Sequence, residues 1–183
     1  MGHVTVVQFI SLDGVIEDPD GRDGTAFGGW AFRYGPETVA GDKFRLGEAL
    51  ETSSLLFGRA TWERFARLWP ARDDAFADVM NRIPKLVASR SPVDVSRWSN
   101  SAQLSGGVTE VDGDVIVVGS ASIAGQLIEH DLVDEYRLLV FPLVIGEGRR
   151  LFERGPVSLE LVACERAGEA AMLTYRRRAT PLR

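Results

Sequence analysis

The sequence contains little of what metal sites and disulfides require, because its 183 residues include one Cys and two His. One Cys excludes an intrachain disulfide, and two isolated His without Cys or His neighbours at ligand spacing argue against a zinc site. No run approaches the ~18 apolar residues of a membrane span, and the first residues look like a strand instead of a charged leader. We therefore expect a cytoplasmic protein that works without thiol, imidazole or zinc chemistry.

The composition that is present is that of a globular domain. Hydrophobic residues make up 45% of the chain and charged residues 26%, which excludes the composition typical of disorder. The 26 acidic and 21 basic residues give a net charge of -5. This mildly acidic balance argues against a nucleic-acid binder, which needs clustered positive charge. We expect one domain over residues 1–183 that binds neither nucleic acid nor membranes.

Apolar runs alternate with stretches of helical periodicity along most of the chain. Continuously apolar runs are typical of strands buried on both faces of a parallel sheet, so the pattern predicts an α/β fold. The tail differs, since two alternating segments joined near Gly168 predict an antiparallel hairpin at one edge of the sheet. The predicted strands cover residues 4–10, 53–58, 85–89, 114–119 and 135–145, and the predicted helices lie around residues 46–50, 62–69, 76–83 and 123–128.

Residues 17–36 lack periodicity and hold five Gly, two Pro and four aromatic residues. A loop of this length inside a compact domain is usually functional or disordered. Two interpretations stay open for its aromatic side chains, Phe27, Trp30, Phe32 and Tyr34. They form a mobile wall over a planar ligand, with Trp30 as the candidate substrate contact, or they pack the loop onto the core or onto a partner subunit.

Three predicted strands end in small residues where a phosphate could bind. Ligands of open α/β sheets bind beyond the carboxyl ends of strands, near helix N-termini. The first end carries Gly58, Arg59 and Thr61, with Thr61 placed to cap the next helix. The second carries Ser89 and Arg90. The third carries Gly119, Ser120, Ala121, Ser122 and Ile123, with Ser120 or Ser122 as the cap of a helix.

Each of these ends is also compatible with an ordinary turn, but their combination indicates a particular ligand. Three phosphate-type turns, two of them with Arg, suit a dinucleotide that carries an extra phosphate, and NADP has a pyrophosphate and a 2'-phosphate. A fourth end contains Asp13, which either accepts a hydrogen bond from a substrate or forms a plain Asp-Gly turn. The lone Cys164 lies in an apolar predicted strand and is expected to be a buried structural thiol.

These segments, in this order, resemble the dihydrofolate reductase-like superfamily, and specifically the stand-alone proteins related to the reductase domain of the bifunctional riboflavin-biosynthesis deaminase-reductase. The resemblance rests on VVQFISLDGVIE, LLFGRATWE, PKLVASRS, the long segment from VIVVGSASIAG to GEGRRLF, and LTYRR. It implies a sheet of about eight strands, NADPH as the hydride donor and commonly a homodimer. It also implies that the Gly58, Ser89 and Gly119 turns hold NADPH.

The chain departs from its relatives in three respects. The segment before the Gly119 strand, LSGGVTEVDGD, is too short for the helix that relatives have there. The deaminase half is absent, and no H-x-E with P-C-x-x-C occurs, so deamination is excluded. Asp42 lies near the position of the acid of dihydrofolate reductases, but nothing around it reproduces a folate site, so we expect a surface carboxylate.

Two function classes follow from these observations. The first is a reductase that uses NADPH to reduce a small heterocycle, either a phosphorylated ribosylaminopyrimidine or a dihydropterin, with Asp13, Glu17 or water as the proton source. A bound cofactor would supply the chemistry that the sequence lacks. The second class is a dimeric nucleotide-binding protein that kept the fold and lost turnover.

Overall fold

The computed structural model describes residues 2–40, 45–153 and 155–178, so Asp42 lies outside the described residues. Within them the chain forms eight strands and five α-helices. The strands are β1 (Val4–Ser11), β2 (Ser54–Gly58), β3 (Lys85–Ala88), β4 (Ser101–Gln103), β5 (Val115–Val118), β6 (Glu135–Phe141), β7 (Leu159–Ala167) and β8 (Ala170–Arg177). The helices are α1 (Gly35–Ala40), α2 (Ala49–Thr52), α3 (Arg59–Leu68), α4 (Ala75–Arg82) and α5 (Ala121–Glu129).

The strands are hydrogen-bonded in the order β4-β3-β2-β5-β1-β6-β8-β7. The pairs β2–β3, β2–β5, β3–β4 and β1–β6 are parallel, and the pairs β6–β8 and β7–β8 are antiparallel. The predicted α/β fold, with a mostly parallel sheet of about eight strands and a C-terminal antiparallel hairpin, is therefore confirmed. No helix in the described part of the chain is long and apolar enough to cross a membrane.

The chain divides into two compact units. The first comprises the residues up to Val4 together with Leu46–Leu132, and the second comprises Thr5–Arg45 and the residues from Val133 onward. The single domain expected from the sequence stays a prediction.

The first unit is built on the apolar strands β2, β3 and β5 with α3, α4 and α5. Phe57 of β2 packs against Phe65 of α3 and against Trp98, with ring centroids 5.5 and 5.9 Å apart. Trp62 is fully buried, and its indole N–H donates to Ser101 Oγ at 3.0 Å. Helix α3 therefore packs its apolar face, which carries Trp62 and Phe65, against the sheet.

One local prediction in the first unit is wrong, and one strand was not predicted. Helix α3 begins at Arg59 with Gly58 as its N-cap residue, so Thr61 lies inside the first turn and does not cap the helix. Strand β4 was not predicted, because its three residues Ser-Ala-Gln carry no apolar run. It forms through backbone pairing with β3, which sequence periodicity does not reveal.

The second unit has its core on one face of β6 and β8. Trp30, Ala31, Leu139, Phe141, Ala170 and Met172 form this buried cluster. Strand β6 ends at Phe141 instead of reaching the predicted residue 145, since the next residue, Pro142, has no N–H to continue the ladder. The hairpin turns at Gly168, whose φ of +59° favours glycine.

The expectation of a buried Cys164 is wrong. Cys164 is exposed and lies on β7, which is an edge strand of the sheet. Its neighbours Leu161 and Val162 are 54% and 46% exposed, so the apolar run of this strand is uncovered over these residues. An edge strand has one neighbour, and an apolar pattern alone does not reveal which of its faces is covered.

Candidate functional site

The ends of β2 and β5 are joined in the first unit by one side chain. The Gly58 N–H donates to Ser120 Oγ at 2.8 Å, and Ser120 is 3% exposed. Ser120 is the N-cap residue of α5, yet its hydroxyl makes no cap hydrogen bond to that helix. The prediction of Ser120 as an N-cap residue is therefore confirmed by its position, but its hydroxyl holds the neighbouring strand end instead of capping the helix.

The amino end of α5 is open and lined by small residues. Gly119 is exposed with a φ of +64°, and among the described residues nothing apart from its two chain neighbours lies within 4 Å of the position that a Cβ would take. Ala121 and Ser122 follow, and Ser122 is exposed. A helix N-terminus carries a partial positive charge, so this surface favours an anion.

Arg59, at the start of α3, is held on two sides. Its Nε donates to Glu63 Oε1 at 2.7 Å, and its Nη1 donates to Ser91 Oγ at 2.7 Å. The hydrogen bond from Arg59 is the largest of the effects that lower the pKa of Glu63. The second contact links the end of β2 to the turn after β3, so all three predicted strand ends lie in one connected surface.

The turn after β3 contains a second guanidinium with a different environment. Arg90 is exposed and has no hydrogen bond or ion pair with another residue in the described ranges. Ser89 Oγ donates to the Ser91 carbonyl at 2.8 Å and accepts from the Ser91 N–H at 3.3 Å. The surface therefore presents one anchored cation, Arg59 at the start of α3, and one unanchored cation, Arg90, beside the two serines of the turn.

Gln103 of β4 completes this turn and was missed by sequence reasoning. Its Nε2 donates to the carbonyls of Ser89 and Ser91 at 3.2 and 3.0 Å, and its Oε1 accepts from the Val93 N–H at 2.9 Å. The one signal that could have found it is a polar residue at the carboxyl end of a strand beside β3. That signal requires β4 to be recognised first.

In the second unit, Asp13 fastens the end of β1 to the segment after β6. Its carboxylate accepts from Ser11 Oγ at 2.7 Å and from the backbone N–H groups of Ile145 and Gly146 at 3.1 and 2.8 Å. The Ser11 hydroxyl first, and then these N–H groups, lower the pKa of Asp13 to about 2. Asp13 is therefore ionised at neutral pH and has no proton to donate.

The loop of residues 17–36 is an ordered structure around a buried carboxylate. Asp18 is 1% exposed, and its carboxylate accepts from the N–H groups of Asp23 and Thr25 and from the Thr25 hydroxyl at 2.8 to 2.9 Å. Trp30 is fully buried, and its indole N–H donates to the Glu17 carbonyl at 2.8 Å. Of the two interpretations of this loop, the one in which its aromatic side chains pack onto the core agrees with the position of Trp30.

The prediction of Trp30 as a substrate contact does not agree with this burial, because Trp30 exposes no surface. The aromatic residue that the loop leaves exposed is Phe32, at 56%. Its ring contacts Phe9 edge to face, with centroids 6.5 Å apart, and Phe9 contacts the buried Phe141 at 5.5 Å. Sequence composition does not distinguish among the aromatic residues of one loop.

The predicted shortening before β5 is also visible. Residues Val108–Glu110 form a single turn of 3-10 helix where the resemblance implies a regular helix.

Within the described ranges, no group of three or more His, Cys, Asp or Glu side chains could hold a metal ion.

Comparison with known proteins agrees with the resemblance seen in the sequence. Residues 108–173, about a third of the chain, match the family model of the RibD C-terminal domain. The chain is 28% identical over 115 residues to the uncharacterized protein YyaP of Bacillus subtilis (strain 168), and this similarity covers 56% of the chain and 60% of YyaP. The chain thus spans less than two thirds of that relative.

Three solved structures share the fold. A protein from Shewanella sp. PV-4 named for riboflavin biosynthesis has a TM-score of 0.71 at 20% identity, over 96% of this chain and 99% of that chain. RibD of Acinetobacter baumannii has a TM-score of 0.65 at 13% identity, over 97% of this chain and 58% of that chain. A pyrimidine reductase-like protein from Corynebacterium diphtheriae has a TM-score of 0.62 at 12% identity, over 98% of this chain and 93% of that chain. The predicted resemblance to the stand-alone relatives of the riboflavin-type reductase domain is confirmed.

Proposed function

We propose that this chain is an NADPH-dependent reductase that transfers hydride to a small heterocyclic acceptor, most like 5-amino-6-(5-phosphoribosylamino)uracil reductase of riboflavin biosynthesis. One observation carries the proposal. The hydrogen bonds from Gly58 to Ser120 and from Arg59 to Ser91 join three separate strand ends into one surface of cations, hydroxyls and a helix N-terminus. The match to the RibD C-terminal domain over residues 108–173 supports a reductase.

The donors present fit the phosphates of NADPH. Arg59 and Arg90, with the hydroxyls of Ser89 and Ser91, would hold the 2'-phosphate, because guanidinium groups match the geometry of phosphate oxygens. The pyrophosphate and the nicotinamide would lie against Gly58, Thr61 and the segment Gly119, Ser120, Ala121, Ser122 and Ile123. Small residues at the start of α5 allow an anion to approach the backbone N–H groups closely.

Bound NADPH supplies the hydride, so the protein needs side chains that orient ligands and place charge. The reduction also consumes a proton. The depressed pKa of Asp13 removes it from the candidate donors at neutral pH, and Glu17 and water remain. Asp13 keeps a proposed role as a hydrogen-bonded anchor beside the substrate, since it ties the end of β1 to the segment after β6.

For the acceptor, Phe32 replaces Trp30 as the proposed contact. A half-exposed ring supported from behind by Phe9 offers a flat apolar face for a pyrimidine or a pterin. Stacking alone does not distinguish these two heterocycles. A dihydropterin therefore remains a second candidate acceptor beside the phosphorylated ribosylaminopyrimidine.

Binding of the two nicotinamide cofactors tests the proposal. We expect a larger thermal shift with NADPH than with NADH, and ligand at about 100 times its Kd stabilises by about 2.7 kcal/mol. Arg59→Ala and Arg90→Ala should remove the preference for NADPH. Arg67→Ala, an exposed position later on α3, is the matched control and should keep it. A wild-type protein that shifts with neither cofactor would refute the reductase.

Turnover separates the reductase from the second candidate, a nucleotide-binding protein without activity. The 3-10 turn at Val108–Glu110 favours the second candidate, because a cover that the resemblance implies is reduced there. NADPH oxidation is measured with a panel of pyrimidine and pterin acceptors. Oxidation with one acceptor class supports the reductase, and a shift without oxidation supports the binding protein.

We further propose a homodimer, with β7 and its neighbours as the contact face. A groove of about 390 Å³ opens along β6, β8 and β7 and is lined on β7 by Cys164, Glu165 and Arg166, and the same strand exposes Leu161 and Val162. Sedimentation should give a dimer, and Leu161→Glu should give a monomer. A monomeric wild-type protein would refute this interface.

The cytoplasmic location stays a prediction from the single Cys.

A further inference from the structure

The side chain of Gln103 is used entirely on the backbone of one turn. Both N–H groups of its amide donate to carbonyls, those of Ser89 and Ser91, and its oxygen accepts from the Val93 N–H. The reverse orientation of the amide would place an oxygen against two carbonyls, so this pattern has one satisfied orientation. Three contacts from one half-buried side chain fix the conformation of residues 89–93.

This turn carries the groups assigned above to the 2'-phosphate. Ser91 Oγ, which accepts from Arg59 Nη1 at 2.7 Å, belongs to the same residue whose carbonyl Gln103 holds. Ser89 Oγ bonds within the turn to the Ser91 carbonyl at 2.8 Å. The placement of the Arg59 guanidinium and of the Ser89 hydroxyl therefore depends on a turn whose shape Gln103 sets.

Electrostatics gives Gln103 a second effect. A carbonyl oxygen that faces a phosphate repels it, and the amide of Gln103 keeps the oxygens of Ser89 and Ser91 directed to itself. We infer that Gln103 is a positioning residue that sets the preference for a 2'-phosphorylated cofactor over its unphosphorylated counterpart. This inference rests on the proposed function and adds to it the residue that sets selectivity.

Gln103→Met tests the inference, because Met has a similar length and volume but lacks the three hydrogen bonds. We expect its Kd for NADPH to rise about tenfold, because a displaced turn should lose the equivalent of about one net hydrogen bond to the phosphate. Its Kd for NADH should change less than twofold. Gln103→Glu has the same shape with a negative charge, and its NADPH affinity should fall further. Ala102→Met, at the exposed neighbouring position on β4, is the control and should leave both Kd values unchanged.

A measurement without cofactor guards against misfolding. In Gln103→Met, hydrogen exchange at the Val93 amide should accelerate, because its acceptor is lost, while the amides of β2 and β5 stay protected. An unchanged ratio of NADPH to NADH affinity in Gln103→Met, with wild-type preference intact, would overturn the role of Gln103 alone. Absence of any NADPH preference in the wild-type protein would instead remove the phosphate assignment, and the inference with it.

Discussion

Trp30 and Phe32 lie two residues apart in one loop, and they differ in exposure, from which we propose different roles for them. Trp30 is fully buried in the second unit, with its ring 5.4 Å from that of Phe141, and Phe32 is 56% exposed. Trp30→Ala should therefore reduce stability with little effect on acceptor affinity in the folded fraction. Phe32→Ala should weaken acceptor binding with little effect on stability.

The magnitude follows from burial. A buried Trp removes roughly 200 Å² from water at about 25 cal/mol per Å², an upper estimate of about 5 kcal/mol. Core Trp→Ala changes cost about 3 to 5 kcal/mol. The lost hydrogen bond to the Glu17 carbonyl falls within that range. Because whole domains are stable by about 5 to 15 kcal/mol, the variant should be close to its unfolding threshold. Phe32→Ala should cost about 1 kcal/mol or less.

Urea unfolding of both variants, followed by tryptophan fluorescence or circular dichroism, measures this difference. Trp30→Phe serves as a milder variant that keeps an aromatic ring and loses the indole N–H, and it should cost about 1 to 3 kcal/mol. If Trp30→Ala and Phe32→Ala were equally stable and only Trp30→Ala lost acceptor affinity, Trp30 would be a substrate contact and the structural assignment would be refuted.

Three other predictions concern charged groups. Burial lowers the pKa of Lys85, which is 1% exposed, to about 8. Between pH 8 and pH 10.5 the unfolded chain therefore binds more protons than the folded chain, so the unfolding free energy of the wild type, relative to that of Lys85→Met, should rise by up to about 3 kcal/mol. Urea unfolding at each pH measures this rise. Asp13→Asn should destabilise at neutral pH, and thermal melts of variant and wild type should converge as pH falls from 4 towards 2, where the native carboxylate takes up its proton. Arg59→Lys keeps the charge but does not reproduce the contacts to Glu63 and Ser91, so titration should show NADPH affinity about tenfold weaker and NADH affinity unchanged.

The parts of the fold that were predicted correctly are those coded by local patterns. Strands β2 and β5 have continuous apolar runs because both of their faces are covered, and such runs are visible without any tertiary information. Strand β3 has a shorter apolar run, and its residues alternate between buried and half-buried. The C-terminal hairpin has alternating segments around Gly168. The end of β6 could also have been predicted, because Pro142 cannot donate to a ladder.

The parts that were missed depend on neighbours distant in sequence. Strand β4 exists because β3 lies beside it, and Gln103 acquires its role only through that pairing. Cys164 has an apolar context, yet it lies on an edge strand that leaves it exposed. Trp30 and Phe32 have the same local composition and opposite burial. In each case tertiary structure decides burial, and a single sequence does not carry that information locally.

The scarcity of Cys and His is consistent with a site whose protein groups bind anions. Of the 21 basic residues, 19 are Arg and two are Lys. The five N–H groups of Arg, against the three of Lys, allow it to donate to a carboxylate and a hydroxyl and still present a planar pair of donors to a phosphate. Arg59 does the first two through Glu63 and Ser91. A cation fixed in this way loses little side-chain entropy when a ligand binds, so Arg59 is already positioned for the anion that we propose it binds. Under the proposed function, selectivity for a phosphorylated cofactor depends on Arg59 and Arg90 and also on Gln103 and Glu63, whose contacts to the protein position the turn and the Arg59 guanidinium.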